Sequence, residues 1–432
     1  MNKFHWCGFS LLGMMAMSMM VSCGKSSDEN VDKLFEKMES DVTGIDFVNT
    51  VPENDTLNQF IYHYLYNGNG VAIGDINNDG LNDLYFTGNE QSSRLYLNKG
   101  DFKFEDITEK SGTGTKQWIS GVTMVDVNND GWLDIYVCKS ASLNNRRARQ
   151  NKLFINQKNN RFKEEALKYG LKEYSFSTQA YFLDYDKDGD LDLFVVTGSN
   201  EFEENAPELH DLLYLNDGKG NFKRDARFPM IYENGSSVSA ADYDKDGDID
   251  LFVGTRMVNA KYGLSAQSNL FINDGTGGFK NQSKRYMPQV TDLGMVTDSE
   301  WADVNGDGYQ DLVVTQDWGP VVVFKNERGR KLTKQEPVAG SEGLWACAKP
   351  ADIDGDGDVD FVLGNFGLNS KIKATVEAPA YLHVGDFDKN GAVEQLISCV
   401  TEDGNTYPMV LKGEMQRALP MIKKKFIKYK ED

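Results

Sequence analysis

A chain of 432 residues with 66 acidic against 46 basic side chains carries a formal charge of −20. So large an acidic excess argues against a nucleic-acid partner, whose phosphates need basic grooves. Its four histidines include no pair at zinc spacing, and no G-x-S-x-G elbow or phosphate-binding loop leads a strand into a helix, so the common hydrolase and nucleotide-site motifs are absent from the sequence.

Residues 1–22 are predicted to be a signal peptide: Lys3 supplies a small positive start, and Phe9 to Val21 form an apolar run too short for a comfortable membrane span. Met20-Val21-Ser22-Cys23, followed by polar Gly24 to Glu29, resembles the lipobox of bacterial lipoproteins. That resemblance implies lipidation of Cys23 and a membrane anchor at the mature N-terminus. The acidic residues that follow resemble the surface-export signals of some Gram-negative lipoproteins, a resemblance that implies an outer-membrane position facing the exterior, with a periplasmic or secreted protein as the alternative. Residues 23–43 read as a linker.

From Asp75 onward one nine-residue phrase recurs seven times: Asp, any, Asp/Asn, any, Asp/Asn, Gly, any, any, Asp/Glu. Alternate residues of a tightly curled loop can supply the 6–8 oxygens that Ca²⁺ takes. In the first loop Asp75, Asn77 and Asp79 offer side chains, Leu81 a backbone carbonyl and Asp83 a closing carboxylate. The same offsets give Asp126, Asn128, Asp130, Trp132 and Asp134, then Asp184, Asp186, Asp188, Asp190 and Asp192. The fourth loop has Asp242, Asp244, Asp246, Asp248 and Asp250, and the fifth Asp303, Asn305, Asp307, Tyr309 and Asp311. The last two have Asp352, Asp354, Asp356, Asp358 and Asp360, and Asp386, Asp388, Asn390, Ala392 and Glu394. Seven Ca²⁺ would raise the formal charge from −20 to about −6.

An EF-hand needs a Glu at loop position twelve, where this chain has Phe86, Val137, Val195, Val253, Val314, Leu363 and Ile397. Each loop instead joins two strand-like runs, such as GVAIG before Asp75 and LYFTG after Asp83. Between the loops a second phrase recurs, LYLNKGDFKFEDIT, LFINQKNNRFKEE, LYLNDGKGNFKRD and LFINDGTGGFKNQS, each a hairpin signature. One repeat is therefore four strands, and four-stranded units in series at this period predict an all-β β-propeller of about seven blades over residues 44–412.

The phrase GVAIGDINNDGLNDLYFTG resembles the FG-GAP, or VCBS-type, repeat known from the integrin α-subunit propeller, and the resemblance covers roughly residues 45–400. It implies structural calcium and a surface binding role. Ring closure stays open: Gly44 to Thr50 could supply a closing strand, but the stretch between Asp352 and Asp386 lacks the LYLN hairpin. Residues 413–432 form a basic segment expected to be helical. Cys138, Cys347 and Cys399 lie in apolar runs and read as buried free thiols, with a Cys347–Cys399 bridge as the alternative, and Trp118, Trp301 and Trp345 read as core residues.

Strand order puts the acidic loops and LYLN turns on one face and the longer connections on the other. Variable loops on a rigid scaffold are where partners bind, and aromatic and arginine side chains dominate such contacts. Arg146, Arg147, Arg149, Phe202, Tyr262 and Trp318 are therefore candidate contacts for a glycan or protein ligand. Likeness to calcium-loop polysaccharide lyases implies an alternative, an enzyme acting on acidic glycans, with His210 as base beside Arg146 or Arg256.

Overall fold

β-Branched and aromatic residues on both sides of each acidic loop favour extended backbone, and the loop is short enough to return the chain antiparallel. The computed structural model describes residues 35–51, 65, 68–116, 118–140, 145–367, 370 and 372–425. Cys23 and the signal peptide lie outside them, as do residues 426–432 of the basic segment.

The first sheet runs in the order β1 (Val71–Gly74), β2 (Asp83–Phe86), β3 (Arg94–Asn98), β4 (Phe104–Asp106). The second follows with β5 (Ile119–Val125), β6 (Asp134–Lys139), β7 (Lys152–Asn156) and β8 (Phe162–Glu164). The third is β9 (Ser177–Leu183), β10 (Asp192–Thr197), β11 (Leu212–Leu215) and β12 (Lys223–Arg224). The fourth is β13 (Asn234–Ala241), β14 (Asp250–Met257), β15 (Asn269–Asn273) and β16 (Phe279–Asn281). The fifth is β17 (Met295–Ala302), β18 (Asp311–Gly319), β19 (Val322–Asn326) and β20 (Leu332–Lys334). In all five every pairing is antiparallel and sequential, so each acidic loop joins first to second strand as the sequence predicts.

The sheets stack through apolar side chains. Tyr136, Leu153 and Ile155 of the second meet Ala180, Leu193 and Tyr214 of the third, and comparable clusters fill the spaces on either side. Both faces of the second strands are thereby covered, and every residue of β6 and β10 is buried. Each fully buried large apolar side chain contributes about 1.5–3 kcal/mol. First strands lie side by side from β5 to β9, β13 and β17, so the sheets are blades of a propeller.

Beyond the fifth blade the four-stranded expectation needs correcting. The sixth sheet has two strands, β21 (Gly343–Ala351) and β22 (Asp360–Asn365), with β21 also pairing β18 at Asp317–Leu344. The seventh has three, β23 (Ala380–Gly385), β24 (Glu394–Val400) and β25 (Thr406–Pro408). The absent LYLN hairpin is the physical reason for the sixth. Val362 is 45 % exposed, whereas its counterparts Tyr85, Tyr136, Phe194, Phe252 and Val313 are 0–2 % exposed.

The seventh sheet meets the loop between β14 and β15: Gln395 Nε2 donates to the Tyr262 carbonyl at 3.1 Å, and Leu382 and Val384 pack at Gly263. Gly44 to Thr50 lies along the first sheet, with Phe47 stacked on Phe86 and Asp46 accepting from the Tyr96 hydroxyl at 2.8 Å. Short helices Lys412–Ala418 and Ile422–Lys425 follow the seventh sheet. Among the described residues all three cysteines are free thiols: Cys138 is buried, Cys399 half-buried and Cys347 exposed.

Candidate metal centres

The acidic loops hold one conformation. The first-position carboxylate accepts the N–H of the sixth-position glycine in all seven, at 2.7 Å for Asp75–Gly80 and 2.9 Å for Asp386–Gly391. These glycines have φ between 83° and 94°, a left-handed backbone that L-residues with side chains rarely adopt.

Curling the loop this way draws its carboxylates together. Among the described residues four groups place ligand oxygens within 4.8 Å of one another: Asp184, Asp186 and Asp192; Asp242, Asp244 and Asp246; Asp352, Asp354 and Asp356; Asp386, Asp388 and Glu394. Buried oxygens Asp186 Oδ1, Asp242 Oδ1 and Asp244 Oδ1 have no hydrogen-bond donor. Burial and the neighbouring carboxylates hold Asp186 and Asp244 above the ordinary carboxylate range. Donorless buried carboxylates at this density fit a divalent cation, which supplies the compensating charge.

The ninth-position carboxylate has a second task. In the first blade Asp83 Oδ2 accepts from Ile76 N at 3.0 Å and Oδ1 from Asn98 N at 2.7 Å, tying the loop to the third strand. Asp134, Asp192, Asp250 and Asp311 repeat both bonds with Asn156, Asn216, Asn273 and Asn326. Their burial pushes Asp134 and Asp192 up to about 7 and Asp250 to about 8.

Those asparagines were not singled out by loop spacing. Asn216 Nδ2 donates at 3.0 Å both to Leu191 O in its own acidic loop and to Val127 O in the loop of the preceding blade. Asn156, Asn273 and Asn326 do the same. Their signal was the invariant last letter of the LYLN and LFIN phrases.

Two of the seventh-position carboxylates are engaged elsewhere than in the carboxylate groups: Asp190 Oδ1 accepts from Asn129 Nδ2 at 2.9 Å, and Asp248 pairs with Lys187 of the preceding loop. At Asp190 and Asp248 the backbone carbonyl is left to serve a metal, as at Leu81, Trp132, Tyr309 and Ala392.

On the opposite face the candidate contacts separate. Arg149 is buried, donates from Nε to Tyr174 O at 2.8 Å and lies over Phe176 and Phe202. Phe202 packs edge-on against Phe176, so both are packing residues. Arg146 and Arg147 are exposed, the former over Tyr174. Tyr262 is mostly covered, and Trp318 lines a groove with Tyr381 and His383. Trp118 and Trp301 are buried, but Trp345 is partly exposed and lines a cavity at the axis.

The residues sketched for a lyase do not come together. Arg256 pairs with Asp317 at that cavity, whereas His210 is buried in a β-bridge with Tyr232, and burial lowers its basicity.

Antiparallel blades stacked around an axis, with an acidic loop between first and second strands, define an acidic-loop type of β-propeller repeat. The chain carries FG-GAP-like repeats, matched by that family at residues 75–137, 199–253 and 303–363. It is similar to Cartilage acidic protein 1 of Xenopus tropicalis, 25 % identical over 52 % of this chain and 33 % of that protein. It is also similar to a T-cell immunomodulatory protein homolog of Plasmodium yoelii yoelii, 23 % identical over 79 % of this chain and 54 % of that one. The chain thus spans about a third to a half of the length of these relatives.

Similar solved structures include a putative glucose dehydrogenase from Thermus thermophilus (TM-score 0.41, 13 % identity, 68 % of this chain and 96 % of that one). A gluconolactonase from Xanthomonas campestris is another (TM-score 0.38, 11 % identity, 65 % of this chain and 78 % of that one).

Proposed function

We propose that this protein is a calcium-stabilised propeller that serves as a non-catalytic binding or adhesion scaffold for glycan or protein ligands. In this reading Cys23 carries the lipid that holds it on the outer membrane, facing the exterior. The observation that carries the calcium reading is the set of buried, donorless oxygens on Asp186, Asp242 and Asp244 inside converging carboxylate loops. Ca²⁺ supplies positive charge there, and the chain's own backbone N–H groups orient the carboxylates that receive it.

Metal and ligand then occupy opposite faces. The acidic loops fix the bends at one end of each blade, and the longer connections at the other end present exposed Arg146 and Arg147 and the Trp318 groove.

Two measurements test this. Melting in Ca²⁺ should exceed melting in EDTA by well over 10 °C, since several sites binding only the folded state stabilise additively; coincident curves would remove the calcium reading. A glycan array and a pull-down with the calcium-loaded protein test the ligand, and product formation from acidic polysaccharides would replace the scaffold reading with an enzyme.

A further inference from the structure

The first strands of blades two to six each leave one residue unpaired at a register shift: Ser120, Thr178, Ser236, Thr297 and Ala346. A bulge re-aims the side chain it carries. All five bulged residues line one cavity of about 210 Å³ at the axis, and Asn69 of the first blade joins them. Each stands six residues before its own acidic loop, so a single sequence offset in six repeats builds one wall. The cavity opens on the face away from the acidic loops.

The chemistry of that wall is specific. The hydroxyls of Ser120, Thr178 and Ser236 each donate between two carbonyls, one in their own blade (Cys138 O, Val196 O, Gly254 O) and one in the next, Ser177 O, Gly235 O at 3.2 Å and Val296 O at 2.7 Å. Their oxygen lone pairs remain as acceptors. Asn69 Oδ1 is a buried acceptor without a donor. Asp317 Oδ2 accepts from Arg256 Nε at 2.8 Å and Nη2 at 2.6 Å, and Oδ1 lies outside that pair. Trp118, Trp345 and Phe366 add aromatic surface.

A wall rich in acceptors, with its one carboxylate already neutralised by arginine, does not suit an anion. One carboxylate is also far short of the 6–8 oxygens Ca²⁺ takes. The wall suits a ligand bearing several O–H donors on its rim and an apolar C–H face. The volume is about seven times the ~30 Å³ share of one water.

We infer that the axial cavity binds a neutral pyranose, the terminal sugar of a glycan. The inference rests on the scaffold reading and narrows its ligand to one class and one site.

Titration calorimetry on the calcium-loaded full chain, with the methyl glycosides of glucose, galactose, mannose, fucose and N-acetylglucosamine, tests it. At least one glycoside should bind one-to-one. Asp317→Asn should weaken it tenfold or more, and Ala346→Trp, which fills the cavity from an exposed position, should abolish it without lowering the melting temperature. Retention of longer oligosaccharides on the immobilised protein is measured in parallel. Equal retention by wild type and Ala346→Trp overturns the cavity assignment while the scaffold reading stands. Absence of both glycoside binding and oligosaccharide retention defeats glycan recognition altogether.

Discussion

Replacing Asn216 with alanine asks how much one blade depends on the loop of the blade before it. The side chain makes four hydrogen bonds: Nδ2 to Val127 O and Leu191 O, and Oδ1 from Asp217 N and Gly220 N. Asn216 is buried, so its loss leaves carbonyls without a donor, and at roughly 1 kcal/mol net per bond the cost is about 4 kcal/mol. With roughly 2–4 °C per kcal/mol for a large domain, the melting temperature should fall by about 8–16 °C.

Asn98 is the internal control. It stands at the same place in the first blade, where among the described residues its half-buried side chain donates to Asn82 O and accepts from Gly100 N within its own blade. Asn98→Ala should cost about 1–2 kcal/mol. Calorimetric melting of both variants in saturating Ca²⁺ compares them, and equal losses would refute the idea that the asparagine acts across blades.

Calcium affinity should follow ligand charge, so Asp186→Ala, from a loop with four ligand carboxylates, should weaken binding more than Asn77→Ala; terbium luminescence in single-loop variants reads the order, and the reverse order would reject it. Burial pushes Asp211 up to about 8 while Oδ1 accepts from Thr197 N at 2.8 Å. The folded chain therefore keeps this proton to higher pH than the unfolded one, so its contribution is complete below about 4 and is lost as pH rises through 8. Asp211→Asn retains the acceptor and should flatten the decline in melting temperature between pH 4 and 8; parallel curves would count against it. Cys23→Ser should move the protein from membrane to soluble fractions, and continued membrane association would contradict a lipid anchor.

Local periodicity made much of this architecture legible. The DxDxDG spacing marked the position between first and second strands, and the LYLN phrases marked the outer hairpins. The missing phrase after Asp352 foreshadowed a two-stranded sixth sheet. Relations across blades were not legible, because they join residues far apart in sequence: Asn216 and Val127 are 89 positions apart. Nor were the bulges, since one inserted residue breaks the alternation by which a strand is recognised. Arg149 and Phe202 read as exposed contacts by type and loop position, whereas Phe176, at the start of the third blade, lies under Arg149 of the preceding blade and packs edge-on against Phe202 of its own.

The two sets of cross-blade bonds run in opposite directions. At the acidic end Asn216 reaches back to its predecessor, while at the mouth of the axis Thr178, in the same blade, reaches forward to Gly235. The seams between the second and third, third and fourth, and fourth and fifth blades are thus riveted at both margins, with each neighbour the donor at one of them. A blade cannot swing out like a page from its binding, because tilting about either margin ruptures the rivet at the other, so separation should proceed as a single concerted event.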